Sequence, residues 1–521
     1  MVRKLEFIPI ALAPLSPTNP FSLRTKYICM EIACCENQPM SRVSAFLVVV
    51  AVWAVVYLPA LGSLAIKGEE GRRILPAIQM LKTGDYVVPQ VGSTTYFRKP
   101  PLVNWLVAAS FHVFGVRNEW TARLPSALAV LAVAIAFITV ARASLGPNGS
   151  TLAALIWLTN IGMIEKGRLI EIEGLYVSLC GLAMIFWLSC WTQKKSAWLT
   201  WVPASIFLGL GILAKGPTLL VFFYAIVLAV LWQAKNWRFL SHPAHFTGIV
   251  IMLAIFAAWG IPFTASTTMH LAVHKWSIQF SERLRGTDFQ FLSWIQNIPR
   301  GLGYFLPWLV LVPFVRFSRF EDGSERHIAR GLAWGILIPF LAINLVPGAA
   351  ARYSMPYLVP ASWFMAMSYS SGAVRWPEKM GNERVLFGVT TAFVLLGLAI
   401  GGVGYPLAAV VLHNRQQIKR AAATFNAALP ANEPVYAVDP RYVPVLFYVR
   451  EPLEYVNSVA DLPGETHYFL VRADTEKEAA ATQKWAPRKA YPIARATDYT
   501  RCEMILFEVK PEKRSTGSQG N

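Results

Sequence analysis

Residues 44–73 read SAFLVVVAVWAVVYLPALGSLAIKGEEGRR: an uncharged run over 44–63, then two carboxylates, Glu69 and Glu70, and two guanidinium groups, Arg72 and Arg73. A helix needs roughly 20 predominantly apolar residues to cross the hydrocarbon of a bilayer. The run at 44–63 therefore predicts a membrane span, and 69–73 places acids and bases together at a membrane surface. The same test applied outward predicts further spans at 122–142, 150–165, 174–192, 197–214, 217–233, 246–265, 301–317, 331–347, 353–372 and 385–411. The run at 102–116 is shorter and is flanked by Lys99-Pro100-Pro101 and Arg117-Asn118-Glu119, so a helix lying in the interface is expected there.

Composition agrees. Hydrophobic residues make up 55% of the 521 and charged residues only 15%, with a mean hydropathy of +0.42. These values exclude an ordinary soluble domain of this length and predict a mainly α, polytopic helical bundle. The net charge of +18 is read as lipid headgroup and short-loop chemistry rather than nucleic-acid binding. The six cysteines, Cys29, Cys34, Cys35, Cys180, Cys190 and Cys502, show no metal-ligand spacing, so neither disulfides nor structural zinc are indicated.

With the N-terminus inside, the cytoplasmic loops carry Arg142, Lys194-Lys195, Lys235 with Arg238, Arg316 with Arg319 and Arg326, and Arg375 with Lys379 and Arg384, as the positive-inside rule expects. The opposite face is not poor in cations, since it receives Arg72, Arg73, Arg98, Lys99, Lys166, Arg168, Lys215, Arg283, Arg285 and Arg352. Wrong topology is one explanation. A cationic cavity for an anionic ligand is the other, and the carboxylates beside these residues favour it.

Residues 1–43 read as a cytoplasmic N-terminal tail without a long apolar run, or, up to Met40, as a product of an upstream start codon. A cleaved signal peptide at 44–63 is disfavoured by the length of the run and the lack of an A-x-A site. The membrane module is expected over 44–412, with an outer loop at 64–121. After 413 the apolar runs shorten to strand length, as in 435–438, 467–471 and 504–507, around an amphipathic stretch at 415–428. A small extracytoplasmic α/β domain over 413–509 is expected, followed by a polar, disordered tail at 510–521. His270 and His274 have helical spacing but no third ligand, and read as a plain polar face.

An ordered string of short elements runs through the module: Glu69-Glu70-Gly71-Arg72, Gly84-Asp85-Tyr86, Tyr96-Phe97-Arg98-Lys99-Pro100-Pro101, Ala122-Arg123-Leu124-Pro125-Ser126, Gly167-Arg168-Leu169-Ile170-Glu171-Ile172-Glu173, Lys215-Gly216-Pro217 and Arg352-Tyr353. In that order they resemble the GT-C membrane glycosyltransferases over about residues 44–372, in particular glycosyltransferase family 39 and its aminoarabinose (lipid A) transferase branch, relatives of the protein O-mannosyltransferases. The family usually carries Asp at the positions of Glu69 and Glu173 and Tyr at that of Arg73. The extra methylene moves a carboxylate by about an ångström, which bears on base geometry and metal preference.

The resemblance implies transfer of a sugar from a polyprenyl-phosphate donor to a lipid or envelope-glycan acceptor on the extracytoplasmic side of a bacterial-type plasma membrane. The residues allow this chemistry. An acceptor hydroxyl needs a carboxylate to take its proton; Glu69 is the first candidate, with Glu70 as alternative. Charge growing on the leaving phosphate is stabilised by fixed cations, for which Arg72, Lys99, Lys215, Arg352 and Arg168 are the candidates. Glu173 is a candidate to orient the acceptor or to share a divalent cation, Mg or Mn, with Glu69. For Glu171 a salt bridge with Lys166 or Arg168 is preferred. The rivals are a protein O-glycosyltransferase, a flippase or transporter of lipid-linked anions, and a relative that has lost its chemistry.

Overall fold

A computed structural model describes residues 39–511 apart from 93, 97–98, 267–273, 275–276, 279–280, 282–288, 321–322, 376–381, 414–416 and 498–501. Arg98, His270, Arg283 and Arg285, and all of the predicted tails at 1–43 and 510–521 except 39–43 and 510–511, lie outside the described residues; Arg42 and Val43 open the first helix, and Lys510 and Pro511 end the last strand instead.

From Arg42 onward the chain forms one compact unit. Its helices, in order, are α1 (Arg42–Tyr57), α2 (Gly71–Thr83), α3 (Leu102–Phe114), α4 (Glu119–Thr139), α5 (Arg142–Thr159), α6 (Ile161–Lys166), α7 (Ile172–Thr192), α8 (Ala197–Lys215), α9 (Leu219–Gln233), α10 (Pro243–Ser266), α11 (Phe291–Ile295), α12 (Asn297–Gly303), α13 (Gly323–Leu345), α14 (Leu358–Ser370), α15 (Asn382–Leu398), α16 (Tyr405–His413), α17 (Gln417–Ala428) and α18 (Glu476–Ala481). Among the described residues six helical stretches are long and apolar enough to cross a membrane: α4, α7, α8, α10, α13 and Arg384–Leu412. The last joins α15 to α16 through a π-helical turn, Ala399–Gly404. The protein is a multi-pass membrane protein.

Most predicted spans are helices at the predicted places. The run at 150–165 breaks at Asn160 between α5 and α6, the run at 353–372 begins as a 3-10 turn, Ala351–Tyr357, and the run at 301–317 departs furthest. Helix α12 ends at Gly303, and Trp308–Phe314 winds as a 3-10 turn. Pro307 and Pro313 each remove a backbone donor and fix φ, which an apolar count does not register. The helix expected at 102–116 forms as α3, and its 13 residues are too few to span hydrocarbon.

Glycines set the closest helix contacts. Gly331 and Gly335 of α13, four residues apart and so on one face, sit against Val230 and Ile226 of α9; a Cβ at either would lie 2.8 Å from the facing Cα. Small residues at this spacing let two backbones approach where lipid supplies no hydrophobic drive for association.

Beyond the bundle, five strands form one sheet of order β4-β3-β5-β7-β6: β3 (Val435–Val438), β4 (Leu453–Val456), β5 (Tyr468–Arg472), β6 (Arg488–Thr497) and β7 (Glu503–Pro511). Strand β3 pairs in parallel with β4 and β5, and the β5-β7-β6 edge is antiparallel. Its core holds Phe469, Phe507, Trp485 and Ile505. The expected α/β domain is thus present, with β4 and β6 added to the three strands legible in sequence. A short hairpin, β1 (Gln90–Val91) with β2 (Thr94–Thr95), lies between α2 and α3, and its Gly92 packs on Tyr455.

Replacing Gly331 with Val is expected to cost about 1–3 kcal/mol through overpacking against Val230. Thermal unfolding of the detergent-solubilised protein checks this; a melting temperature equal to wild type would remove the close contact as a determinant of packing.

Candidate active site

The acidic loop owes its shape to one buried ion pair. Glu70, at 1% exposure, faces Arg123 of α4, at 0%. Arg123 donates from Nε to Glu70 Oε1 at 2.9 Å and from Nη2 to Glu70 Oε2 at 2.8 Å. Its other hydrogens go to the carbonyls of Leu61, Leu64 and Ala65. The carboxylate also accepts from the backbone N–H groups of Lys67 and Ile170, both at 3.2 Å. A guanidinium has five donors and a carboxylate about four acceptor positions, so both groups are fully committed. The pair fixes the chain entering Glu69 and ties it to the turn before α7.

Glu69, one residue earlier, faces the other way. Its side chain is 44% exposed and forms an ion pair with Arg72, with Arg73 at 3.8 Å. The two acids close a 3-10 turn leading directly into α2, where the partial positive charge of a helix N-terminus favours carboxylates. Arg73 is buried, donates to the Tyr96 hydroxyl at 2.9 Å and lies over that ring. Buried Asn104 of α3 donates its amide to the Arg73 carbonyl at 2.7 Å. Three elements, α2, α3 and the segment after β2, therefore hold the orientation of the Glu69 neighbourhood.

The second cluster joins α7, α8 and the 3-10 turn Ala351–Tyr357. Glu173, in the first turn of α7, has its side chain 8% exposed. Its Oε1 meets Lys215 Nζ at 3.1 Å and Arg352 Nε at 3.3 Å. Lys215, the last residue of α8, also lies over the rings of Tyr176 and Tyr353. Burial disfavours the charge on Arg352, but Glu173, aided by Tyr353, Glu171 and Glu69, outweighs it and raises the guanidinium above its ordinary pKa. Arg352 thus senses Glu173, its ion-pair partner, most strongly of the acids and Glu69 least. Its side chain is 40% exposed.

The expected site residues separate into two groups. Glu69, Arg72, Glu173, Lys215 and Arg352 form the two charged clusters. Lys99 is half-buried in the bend leading into α3. Arg168 requires a correction: it is fully buried, donates to the carbonyls of Pro59 and Gly401, and lies 3.8 Å over the Tyr405 ring. Burial lowers its pKa to about 10. Its guanidinium joins the end of α1 to the π turn before α16 and is not presented to a ligand. Glu70 is likewise spent on Arg123 and is not a spare base. Glu171 pairs with Lys166 at 3.1 Å, as expected of a structural salt bridge. Among the described residues no group of three or more His, Cys, Asp or Glu is arranged to hold a metal ion.

The motifs legible in the sequence contain Arg123, Tyr96 and Tyr353 but give them no role, and Tyr176 stands in none of them. A signal existed for Arg123, a lone cation within an apolar span, which is costly unless paired.

Known proteins resemble this chain in sequence and in fold. Residues 98–261 match the family model described as dolichyl-phosphate-mannose-protein mannosyltransferase. The undecaprenyl phosphate-alpha-4-amino-4-deoxy-L-arabinose arabinosyl transferase 2 of Pseudomonas fluorescens is 24% identical over 331 residues, covering 62% of this chain and 59% of the relative. The corresponding Pseudomonas aeruginosa transferase is 26% identical over 331 residues, with 62% and 57% covered. The match thus spans under two thirds of the length of these curated relatives. The crystal structure of ArnT from Cupriavidus metallidurans in the apo state superposes with a TM-score of 0.64 at 17% identity, covering 93% of this chain and 98% of that one. Its complex with undecaprenyl phosphate gives the same score. A helical bundle carrying an α/β domain on these terms is the GT-C fold of membrane glycosyltransferases. The fold is the one seen in the ArnT structures.

Removing one partner of a fully buried ion pair leaves an uncompensated charge, so Arg123→Met is expected to cost about 3–5 kcal/mol. Glu69→Gln, at a half-exposed position, is expected to stay within about 0.5 kcal/mol of wild type. Thermal unfolding of the two variants side by side tests the division of labour between the adjacent acids; equal melting temperatures would contradict it.

Proposed function

We propose that the protein is a glycosyltransferase that moves a sugar from a polyprenyl-phosphate donor to an acceptor on the extracytoplasmic side of the plasma membrane. The observation that carries this reading is a half-exposed carboxylate, Glu69, whose charge reaches Arg352 of the cation cluster built on Glu173. The likeness to the ArnT fold and the activities named for the relatives support it. The membrane side rests on the Lys and Arg of the opposite loops, and a lipid or envelope-glycan acceptor on the arabinosyl transferase relatives.

In this reading the acceptor oxygen attacks the anomeric carbon as the carbon–oxygen bond to the donor phosphate breaks. The acceptor proton passes to the Glu69 carboxylate, and polyprenyl phosphate leaves with the bonding electron pair. Attack opposite the leaving group inverts the anomeric centre. Arg72 and Arg73 orient Glu69, and Glu70 holds the turn beneath it. Lys215 and Arg352 bring two positive charges to one carboxylate, so the cluster keeps a surplus charge for the developing phosphate. These fixed groups need little reorganisation as charge develops, which is the main advantage of a preorganised site. Lys99, in the bend after Tyr96, is a third cation for the same phosphate.

Because Glu173 is already shared by Lys215 and Arg352, these cations fill the role that a divalent ion would otherwise have. Transfer is expected to survive chelation with EDTA; loss on chelation and recovery with Mg or Mn would restore the metal reading.

The deciding experiment offers a panel of radiolabelled polyprenyl-phosphate sugars to purified protein, with lipid, glycan and peptide acceptors in separate arms. Glu69→Gln is expected to lower turnover by about 100-fold or more, as for loss of a general base, while donor binding persists. Lys215→Ala or Arg352→Ala is expected to cost about 10-fold or more. Donor binding without cleavage in wild type would instead favour transport of the lipid-linked anion. Label appearing in the peptide arm would favour protein O-glycosylation.

A further inference from the structure

The α/β domain does not only neighbour the candidate site. The connection from β3 to β4 reaches onto the acidic loop. Leaving β3, Asp439 and Arg441 take φ values of 41° and 43°, a left-handed region that Asp tolerates but that a long side chain such as Arg441 seldom adopts. Such strain persists only where surroundings impose it, and it concentrates at functional sites. Here the surroundings are visible: Asp439 is held by Arg472 of β5 and by its own N–H to the Val456 carbonyl. The connection starts from the carboxyl end of β3, where open α/β sheets usually present their working loops.

Two tyrosines of this connection make the contact. The Tyr442 carbonyl lies where a Cβ on Gly71 would come within 2.7 Å, and its ring packs edge-on against Tyr96, the partner of Arg73. The Tyr448 hydroxyl accepts from the Ile66 N–H at 2.7 Å and donates to Glu119 Oε1 at 3.0 Å. Burial, then the adjacent Glu119, raises the Tyr448 pKa well above its ordinary value, so the hydroxyl keeps the proton it donates. Glu119 is also held by Lys419 of α17, and Tyr448 is anchored in its own domain by Asn426, which donates to its carbonyl at 2.9 Å. Ile66 lies between Ala65, which is bonded to Arg123, and Lys67, which is bonded to Glu70.

We propose that Tyr448 is a positioning residue through which the α/β domain sets the placement of Glu69, so that turnover depends on this domain although the domain contributes no group to the chemistry. The inference rests on the transferase reading above. Arg123 fixes the carbonyls of Leu61, Leu64 and Ala65, and the Tyr448 hydroxyl fixes the Ile66 amide that follows. Without that hydroxyl, the chain entering the 3-10 turn loses its clamp from above, and Glu69 drifts relative to the Lys215–Glu173–Arg352 cluster. Misplacement of a catalytic group affects the chemical step more than donor binding, because Lys215 and Arg352, the cations proposed for the phosphate, lie on other elements.

The test compares full-length wild type with Tyr448→Phe in lipid nanodiscs, and with Arg495→Gln as a control on the distant β6. Tyr448→Phe is expected to lower kcat by about 10-fold with the donor KM within about twofold, the split for an interaction made in the transition state. Amide exchange in a peptide covering 64–72 is expected to rise, while exchange in β5 and β7 stays as in wild type, showing that the domain remains folded. Arg495→Gln is expected to match wild type in both measurements. Wild-type kcat in Tyr448→Phe, or unchanged exchange over 64–72, would overturn the proposal. If wild type itself fails to transfer any sugar, the transferase reading falls with the catalytic role, and the exchange measurement still decides whether Tyr448 holds the loop.

Discussion

The buried pair of Glu70 and Arg123 is the constraint on which the rest of the site depends. Two charges out of water are expensive, and their attraction repays the cost only when every remaining donor and acceptor is also satisfied. Here the satisfaction comes from the backbone. Three carbonyls between Leu61 and Ala65, and the amides of Lys67 and Ile170, are recruited to finish the two side chains. The desolvation cost of a charge thereby becomes a geometric specification: the chain leaving α1 must wrap around Arg123, and the turn before α7 must approach Glu70. Glu69 and Glu173 are brought into one neighbourhood because each is covalently close to a segment that this pair holds.

That arrangement explains why adjacent acids have opposite fates. Glu69 and Glu70 stand next to each other in a tight turn, so their side chains diverge, one inward and one outward. The inward carboxylate is completed by Arg123 and has no capacity left. Among the described residues the outward one has only Arg72 and, at 3.8 Å, Arg73. A carboxylate with unfilled acceptor positions can still take a proton from an incoming hydroxyl; one already saturated by four donors cannot do so without breaking the loop that carries it.

The sequence revealed the bundle because membrane spans have a strong local signature: length and apolarity suffice, and both can be read from one segment alone. The failure at 301–317 follows from the same reliance, since hydropathy counts Pro307 and Pro313 as acceptable while the helix cannot use them. Glu69, Glu173, Lys215 and Arg352 were legible because charge at the edge of an apolar run is conspicuous. What the sequence could not tell was where each charge points. Arg168 and Arg352 look alike as cations beside spans, yet one is buried on the carbonyls of Pro59 and Gly401 and the other opens toward solvent. That difference is set by contacts more than 100 residues away in the chain, beyond the reach of any local pattern. The same holds for Tyr448, whose partners Ile66 and Glu119 are 382 and 329 residues distant.

The composition of the second cluster carries the argument one step further. One carboxylate between two cations leaves a local surplus of positive charge, held beside the faces of Tyr176 and Tyr353 rather than in bulk water. Two cations alone at that spacing would repel each other and turn toward solvent; a second carboxylate would cancel the surplus. Glu173 keeps Lys215 and Arg352 together without consuming both, and because all three are mounted on different elements, their separation is set by helix packing and not by side-chain freedom. In the proposed reaction the anionic phosphate meets groups whose separation helix packing has already set, with little reorganisation left to make.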